Sequence, residues 1–261
     1  MNFTIRHFET SDDHLACVAL QERVWAGDIP VPTNMTITIQ RHGGVTLGAF
    51  DEANRMIGFV LGILAPAHQR GALRGLSHHS HIAAVAPEHQ GMGIGEALKR
   101  AQAEWCKAQG LNLMTWTVDP LEAKNARLNF GKLGCVCRTF IRNCYGDMQD
   151  NLNAGLPSDR FEVEWWLDRK VEGGEWRGAS DTLRIPIGNW QLAKQIEIPC
   201  NFQGLKKSDF EAARRWRFEA REQFESAFAQ GYIVTSFTLD ADKAFYTLLP
   251  SAPSPSGRGL G

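Results

Sequence analysis

The chain has 261 residues, 43% of them hydrophobic and 22% charged, with a formal net charge of −1. That length allows one large domain or two small ones around a packed core. The near-zero charge gives no electrostatic reason for nucleic acid or an anionic membrane surface as partner, and no apolar run approaches the ~20 residues of a membrane span.

Residues 3–8 read as a first strand, and the N-terminus lacks the basic-then-apolar layout of a signal peptide. Ser11 can cap a helix in which Leu15, Val18, Ala19 and Val24 recur at helical spacing, broken by Ile29-Pro30-Val31-Pro32. Val45–Phe50 and Met56–Leu64 read as strands of a hairpin turning at residues 51–55. A loop with Gly71 and Gly75 leads to a strand over Ser80–Ala86, then a glycine-dense turn, then a helix from about Gly95 to Gln109 stopped by Gly110. Leu111–Val118 is a short buried strand. Asp119-Pro120 opens a helix with Ala126, Phe130 and Leu133 on one face, ended by Gly134, and Val136–Asn143 and Phe161–Leu167 are further strands.

Gly173-Gly174 marks a linker or long hairpin. Ile196–Pro199 is a short strand, and Ser208-Asp209-Phe210-Glu211 caps a long helix to about Gln230, followed by strands over Tyr232–Leu239 and Ala244–Leu249. The tail, residues 251–261, is too polar and too rich in Pro and Gly to pack, and is expected to be disordered. Six cysteines, at 17, 106, 135, 137, 144 and 200, show no C-x-x-C pair and no metal-finger spacing, so they read as reduced, packed thiols of a cytoplasmic protein. Cys135 and Cys137 fall on one face of a strand.

The stretch Ala83-Ala84-Val85-Ala86-Pro87-Glu88-His89-Gln90-Gly91-Met92-Gly93-Ile94-Gly95 carries the chemistry. Strand, glycine turn and helix start in that order point free N–H groups and the positive end of a helix dipole into the turn, a site for an anion such as phosphate. The dinucleotide fingerprint G-x-G-x-x-G fails here, because its third glycine falls on Glu96 or Leu98, and no Gly-Lys-Ser/Thr occurs in the turn. Gln90-x-x-Gly93-x-Gly95 instead resembles the pyrophosphate loop of the GNAT superfamily, the acyl-CoA dependent N-acyltransferases. A second segment, Ala126-Arg127-Leu128-Asn129-Phe130-Gly131-Lys132-Leu133-Gly134, resembles that family's late-helix pattern A-x-x-x-Tyr-x-Lys-x-Gly.

The resemblance covers roughly residues 1–168. It implies an α/β (α+β) fold with a mixed central sheet flanked by helices, antiparallel in its first half and parallel at the CoA loop. Residues 169–250 form a smaller C-terminal α+β extension, whose strand–helix–Gly–strand–strand layout echoes residues 111–167 as a partial repeat would. The resemblance also implies that Gln90, Gly91, Met92, Gly93, Ile94 and Gly95 hold the pyrophosphate. It implies further that the strand at Ala84 and Val85 pairs with the pantetheine arm, with a main-chain N–H near Val85 facing the thioester carbonyl. Asn125 and Asn129 either bond the pantetheine amides or form a solvated helix face.

The family's tyrosine, the acid for the leaving thiolate, is Phe130 in this chain, so the role is empty or filled from elsewhere; Tyr145 and the cysteines near it are candidates. A thiol pKa near 8.5 makes that acid dispensable in principle. For the base that deprotonates the amine, His81 and Asp119 stand open: His79 and His81 alternate on a strand, and Asp119 lies where a strand meets a helix. The cluster His78-His79-Ser80-His81 lacks the partners of a metal site, so no metal is expected. Arg217, within the basic stripe of the long helix, and Arg160 are candidate anchors for a substrate carboxylate, with a solvated, ion-paired face as the alternative. Trp165 and Trp166 point to opposite faces, so at least one is core.

The expectation is therefore an N-acyltransferase moving an acyl group, acetyl by default, from acyl-CoA to a small-molecule amine or an amino acid. A succinyl-CoA dependent variant and a non-catalytic acyl-CoA binding protein are the alternatives. Neither nucleic acid nor membrane is expected as partner, and a homodimer is left open.

Overall fold

The structure, a computed structural model, describes residues 2–26, 29–67, 75–148, 150, 153–172, 175–177, 184–186, 190–240 and 242–251. The expected linker at Gly173-Gly174 lies outside them, as does the tail beyond Ser251. The chain divides into two compact units: Met1–Pro66 with Leu76–Trp116 and Met148–Gly155, and Ala67–Gly75 with Thr117–Asp147 and Leu156–Gly261.

The first unit contains β1 (Phe3–His7), α1 (Ser11–Val24), α2 (Thr33–Arg41), β2 (Val45–Asp51), β3 (Met56–Pro66), β4 (Leu76–Val85), α3 (Ile94–Ala108) and the first four residues of β5 (Leu113–Val118). Its strands lie in the order β1-β2-β3-β4-β5, antiparallel through β4 and parallel at the β4–β5 step. The cap of α1 is Thr10 rather than Ser11. Thr10 accepts from the Asp13 N–H and Asp13 accepts from the Thr10 N–H, a reciprocal box that satisfies two helix-end donors. One face of the sheet packs Phe59, Leu61, Ala84 and Ala86 on Cys17 and Leu20 of α1. The other packs Val45, Leu47, Ala49, Ile57 and Val60 on Ile94 and Leu98 of α3.

The second unit takes up the end of β5, then α4 (Ala123–Ala126), which runs on as a wider π-helical segment over Arg127–Lys132, then β6 (Val136–Ile141) and β7 (Arg160–Trp166). Three short strands follow, β8 (Lys170–Glu172), β9 (Glu175–Arg177) and β10 (Arg184–Pro186), in an antiparallel sheet. Then come β11 (Lys194–Glu197), α5 (Phe202–Ser208), α6 (Phe210–Ala229), β12 (Tyr232–Leu239) and β13 (Ala244–Pro250). The larger sheet of this unit runs β7-β6-β12-β13-β11, antiparallel throughout. The expected helix start at Asp119 moves to Ala123, because Asp119 Oδ1 accepts from the Leu121 N–H at 2.8 Å and holds a turn there. Asp209 caps α6 by accepting from Ala212 N–H. Trp165 and Trp166 are both buried. Phe130, Phe161, Phe224 and Tyr246 make an edge-to-face aromatic core, with Phe161 and Phe224 centroids 4.7 Å apart and Phe130 and Tyr246 5.5 Å apart.

Candidate active site

Glycine places the turn between β4 and α3. Gly91 and Gly93 have φ of +81° and +84°, a region that costs any side-chain-bearing residue about 1 kcal/mol or more. A Cβ built on either would meet nothing within 4 Å, so the main chain of the turn faces open space. Gly93 is also the N-cap of α3 and offers no side-chain acceptor, so the first-turn N–H groups, which have no intrahelical partner, stay available to an anion. Gln90, exposed at the entrance, donates from Nε2 to Val85 O at 3.3 Å. Met92 is exposed and Ile94 buried. The residues therefore fit a pyrophosphate at the turn.

The strand leading into the turn has one unpaired edge. Pairing of β4 with β5 is confined, among the described residues, to His78↔Met114 and His79↔Thr115. Pairing of β4 with β3 continues to Val85↔Gly58. From Ser80 onward the two parallel strands have parted, and one edge of β4 is open. Ala86 N–H donates to Ile57 O on β3 at 2.9 Å, and successive N–H groups of a strand point to opposite sides. Val85 N–H therefore points to the open edge, the side on which Val85 O meets Gln90.

A β-bulge at His81 sets which side chains face which helix. Gly62 pairs with Ser80 and Leu61 with Ile82, so His81 is the extra residue. Before it, His78 and Ser80 face Gln102 and Lys99 of α3. After it, Val85 packs on the α3 side while Ile82, Ala84 and Ala86 pack on the α1 side. The simple alternation expected to put His79 and His81 on one face is interrupted. His79 is half-buried with Nδ1 3.1 Å from Thr115 Oγ1, whereas His81 is exposed. The protein mass around His81 disfavours its charged form and lowers its pKa.

Beneath the strand, His78 is fully buried, with Nε2 2.9 Å from Gln102 Nε2. Burial, helped by the Lys99 charge and by His79, pushes its pKa down to about 3. An unfolded histidine titrates near 6.5, so the stability tied to the neutral ring is complete above that pH and drains away as pH falls from about 6.5 toward 3. Urea unfolding at pH 6.5 and 5 should show a loss of ~2 kcal/mol from this one group, at about 1.4 kcal/mol per pH unit. The His78→Asn variant should lose correspondingly less, and an identical pH slope in the two proteins would contradict the assignment.

The second unit gathers three of the remaining candidates. Arg217 of α6, with a side chain 3% exposed, donates from both terminal nitrogens to the two oxygens of Asp119, one at 2.9 Å. Arg160 of β7 lies 3.7 Å from the same carboxylate and donates to Asp159 O. Burial alone would push the Asp119 carboxyl up, but the Arg217 and Arg160 charges and the Arg217 hydrogen bonds outweigh it and hold the group below the usual carboxylate range. A low-pKa carboxylate with both oxygens engaged is a poor proton acceptor, so Asp119 does not suit the base role read from its position. Arg217 likewise is tied to Asp119 rather than presented to a ligand. Alongside them, Asp159 forks with Arg221, and Gln203 of α5 donates to Glu122 at 2.6 Å.

Tyr145, 53% exposed, has its hydroxyl 2.6 Å from Thr117 Oγ1 at the end of β5, and the Arg160 guanidinium lies 5.5 Å from its ring centroid. Asn125 is exposed on α4 while Asn129 is buried, so the two do not share one solvated face. Phe130 is buried in the aromatic core. The candidates thus fall into two groups, His81 and residues 84–95 in the first unit and Asp119, Asn125, Asn129, Tyr145, Arg160 and Arg217 in the second. Sequence reading passed over Lys99, Gln102, Glu122 and Thr117, each an ordinary polar residue in a helix, strand or turn without a motif around it.

A mixed sheet with one parallel step, a parted strand pair and an uncapped glycine turn at a helix start define an acyltransferase-type fold. Residues 16–134 match the acetyltransferase (GNAT) family. The ribosomal-protein-S18-alanine N-acetyltransferase of Escherichia coli superposes with a TM-score of 0.50 at 18% identity, over 66% of this chain and 98% of that one. The NatC complex bound to Gag peptide and CoA gives 0.51 at 14% identity, over 64% and 99%. Naa20 of Chaetomium thermophilum with a bisubstrate analogue gives 0.50 at 20% identity, over 62% and 86%. At these identities the likeness is one of fold. No curated protein matches the sequence. Among the described residues no helix is long and apolar enough to cross a membrane.

Proposed function

We propose that this chain transfers an acyl group, acetyl by default, from acyl-CoA to the amine of a small molecule or amino acid. The observation that carries the reading is the open edge of β4 running straight into the uncapped glycine turn of α3. Bound acyl-CoA supplies the activated acyl thioester. Gln90–Gly95 hold its pyrophosphate through main-chain N–H groups and the helix dipole. Val85 N–H is the donor to the thioester carbonyl, on the scale of ~3 kcal/mol for a preorganised oxyanion donor. His81, whose lowered pKa keeps the ring neutral near pH 7, accepts the proton of the amine. Tyr145, hydrogen-bonded to Thr117 and exposed, is the side chain of the second unit able to serve as an acid in place of the absent family tyrosine. Arg160 and Arg217 are both compensated by Asp119, which favours acetyl over a succinyl group needing an uncommitted arginine. The six cysteines form no disulfide among the described residues, which suits a reducing, cytoplasmic setting.

Burial of Phe130 in the aromatic core favours a second reading, a protein that binds acyl-CoA without turnover. Calorimetric titration with acetyl-CoA, succinyl-CoA, CoA and NAD comes first, followed by a thiol-release screen of amines, amino acids and short peptides. The Tyr145→Phe variant should keep its CoA affinity and lose at least tenfold in kcat, within the span of general acid catalysis. Binding without thiol release for any acceptor establishes the second reading, and absence of CoA binding by folded protein sinks both.

A further inference from the structure

The last β4–β5 pair is His79↔Thr115. The next residue on each strand is Ser80 and Trp116, and Lys99 of α3 engages both. Its Nζ donates to Ser80 Oγ at 2.6 Å and sits 3.9 Å from the centre of the Trp116 ring. All three residues are buried, with Lys99 7% exposed, Ser80 3% and Trp116 4%. A buried ammonium group on the α3 side of the sheet therefore touches one side chain from each strand, at the first residues beyond the last pair. One turn further along α3, Gln102 holds His78, and Gly62 makes room for that contact, since a Cβ there would lie 2.1 Å from His78 Nε2. The helix thus grips β4 at two alternate residues, 78 and 80, directly before the bulge at His81.

We infer that Lys99 is a positioning residue that wedges β4 and β5 apart and thereby keeps the Ala83–Val85 edge open. An ammonium so poorly exposed keeps its charge only with polar or π partners close by, and Ser80 and the indole face provide them from the two strands to be separated. With the wedge gone, the parallel strands can zip one or more residues further and cover the edge with their own hydrogen bonds. Lys99 also descends from the helix whose N-terminus forms the glycine turn, so it links the geometry of the open edge to that of the turn. The opening itself is a property of this unit; its use for acyl-CoA rests on the function proposed above.

The test uses the full chain with Lys99→Met, which keeps the stem and removes the charge, and Lys99→Arg, which restores it. Amide hydrogen exchange without ligand reports the edge, and calorimetric titration with CoA reports its use. In Lys99→Met, exchange over residues 80–85 should slow by tenfold or more and CoA affinity fall by at least tenfold, with Lys99→Arg recovering part of both. A folded Lys99→Met protein with unchanged exchange over 80–85 overturns the wedge, whatever CoA does. If that variant fails to fold, Ser80→Ala removes one strand's grip alone, and unchanged exchange there overturns the proposal equally. Slowed exchange in a protein whose wild type never binds CoA upholds the wedge and sinks only the acyl-CoA reading.

Discussion

Replacing Gly93 with tryptophan should raise the dissociation constant for CoA at least 100-fold while the protein still folds. The main chain around residue 93 faces open space, where a Cβ meets no atom within 4 Å, so an indole carried on it projects from the helix start at which a phosphate would bind. It also forces a bulky side chain into the left-handed region at φ +84°, which costs about 1–2 kcal/mol of stability. Gly93→Ala separates the two effects. It carries the same backbone penalty with a Cβ in empty space, so its loss of stability should match the tryptophan variant while its loss of affinity is smaller. Calorimetric titration beside thermal unfolding reads both quantities. Wild-type affinity in a folded Gly93→Trp protein would show that phosphate does not bind at this helix start.

Arg217→Met should destabilise the second unit by ~3–5 kcal/mol, the usual penalty for stranding one member of a buried ion pair. Methionine preserves most of the packing, so the loss isolates the charge. Among the described residues Asp119 would keep Arg160, 3.7 Å away, as its cationic neighbour. The double variant Arg217→Met/Asp119→Asn should recover at least half of that loss, because a carboxamide needs no countercharge and still accepts from Leu121 N–H. Denaturant unfolding of these two variants and of Asp119→Asn alone closes the cycle. A single-variant loss under 1 kcal/mol would mean that the pair is solvated in solution rather than buried.

The fold was legible where its causes are local. The β4–turn–α3 unit follows from glycines that need positive φ and from helical periodicity beginning at Ile94, and the β2–β3 hairpin follows from its turn residues and apolar runs. Helix α2 escaped because Thr33-Asn34-Met35-Thr36-Ile37-Thr38-Ile39 is rich in β-branched residues and follows two prolines. It forms because Pro32 sits at its N-cap and because Thr36 and Ile39 are buried. The bulge at His81 escaped for another reason: register belongs to a pair of strands, and neither sequence alone states it. Within the candidate site, the turn was readable residue by residue, whereas Asp119 and Arg217 read as two separate functional groups. They are one ion pair, and 98 positions of chain separate its members. Lys99 carried no signal at all, because a lysine on an amphipathic helix ordinarily lies on the wet face and only the neighbouring strands show that this one does not.

Three contacts from the C-terminal elements converge on the four residues after β5: Arg217 on Asp119, Tyr246 on the Pro120 carbonyl at 2.8 Å, and Gln203 on Glu122. Their sequence separations of 98, 126 and 81 residues carry a consequence for biogenesis. Contacts so distant along the chain pay their loop-closure entropy before returning any stability, and they slow folding. On the ribosome the turn at Asp119–Glu122 cannot acquire all of its native partners until residue 246 has emerged, whereas the glycine turn and its flanking strand and helix are complete by residue 116. The protein is therefore expected to mature vectorially, with the first unit native while the second is still awaiting β13, and a nascent chain stalled short of Tyr246 is the species most exposed to proteases and chaperones.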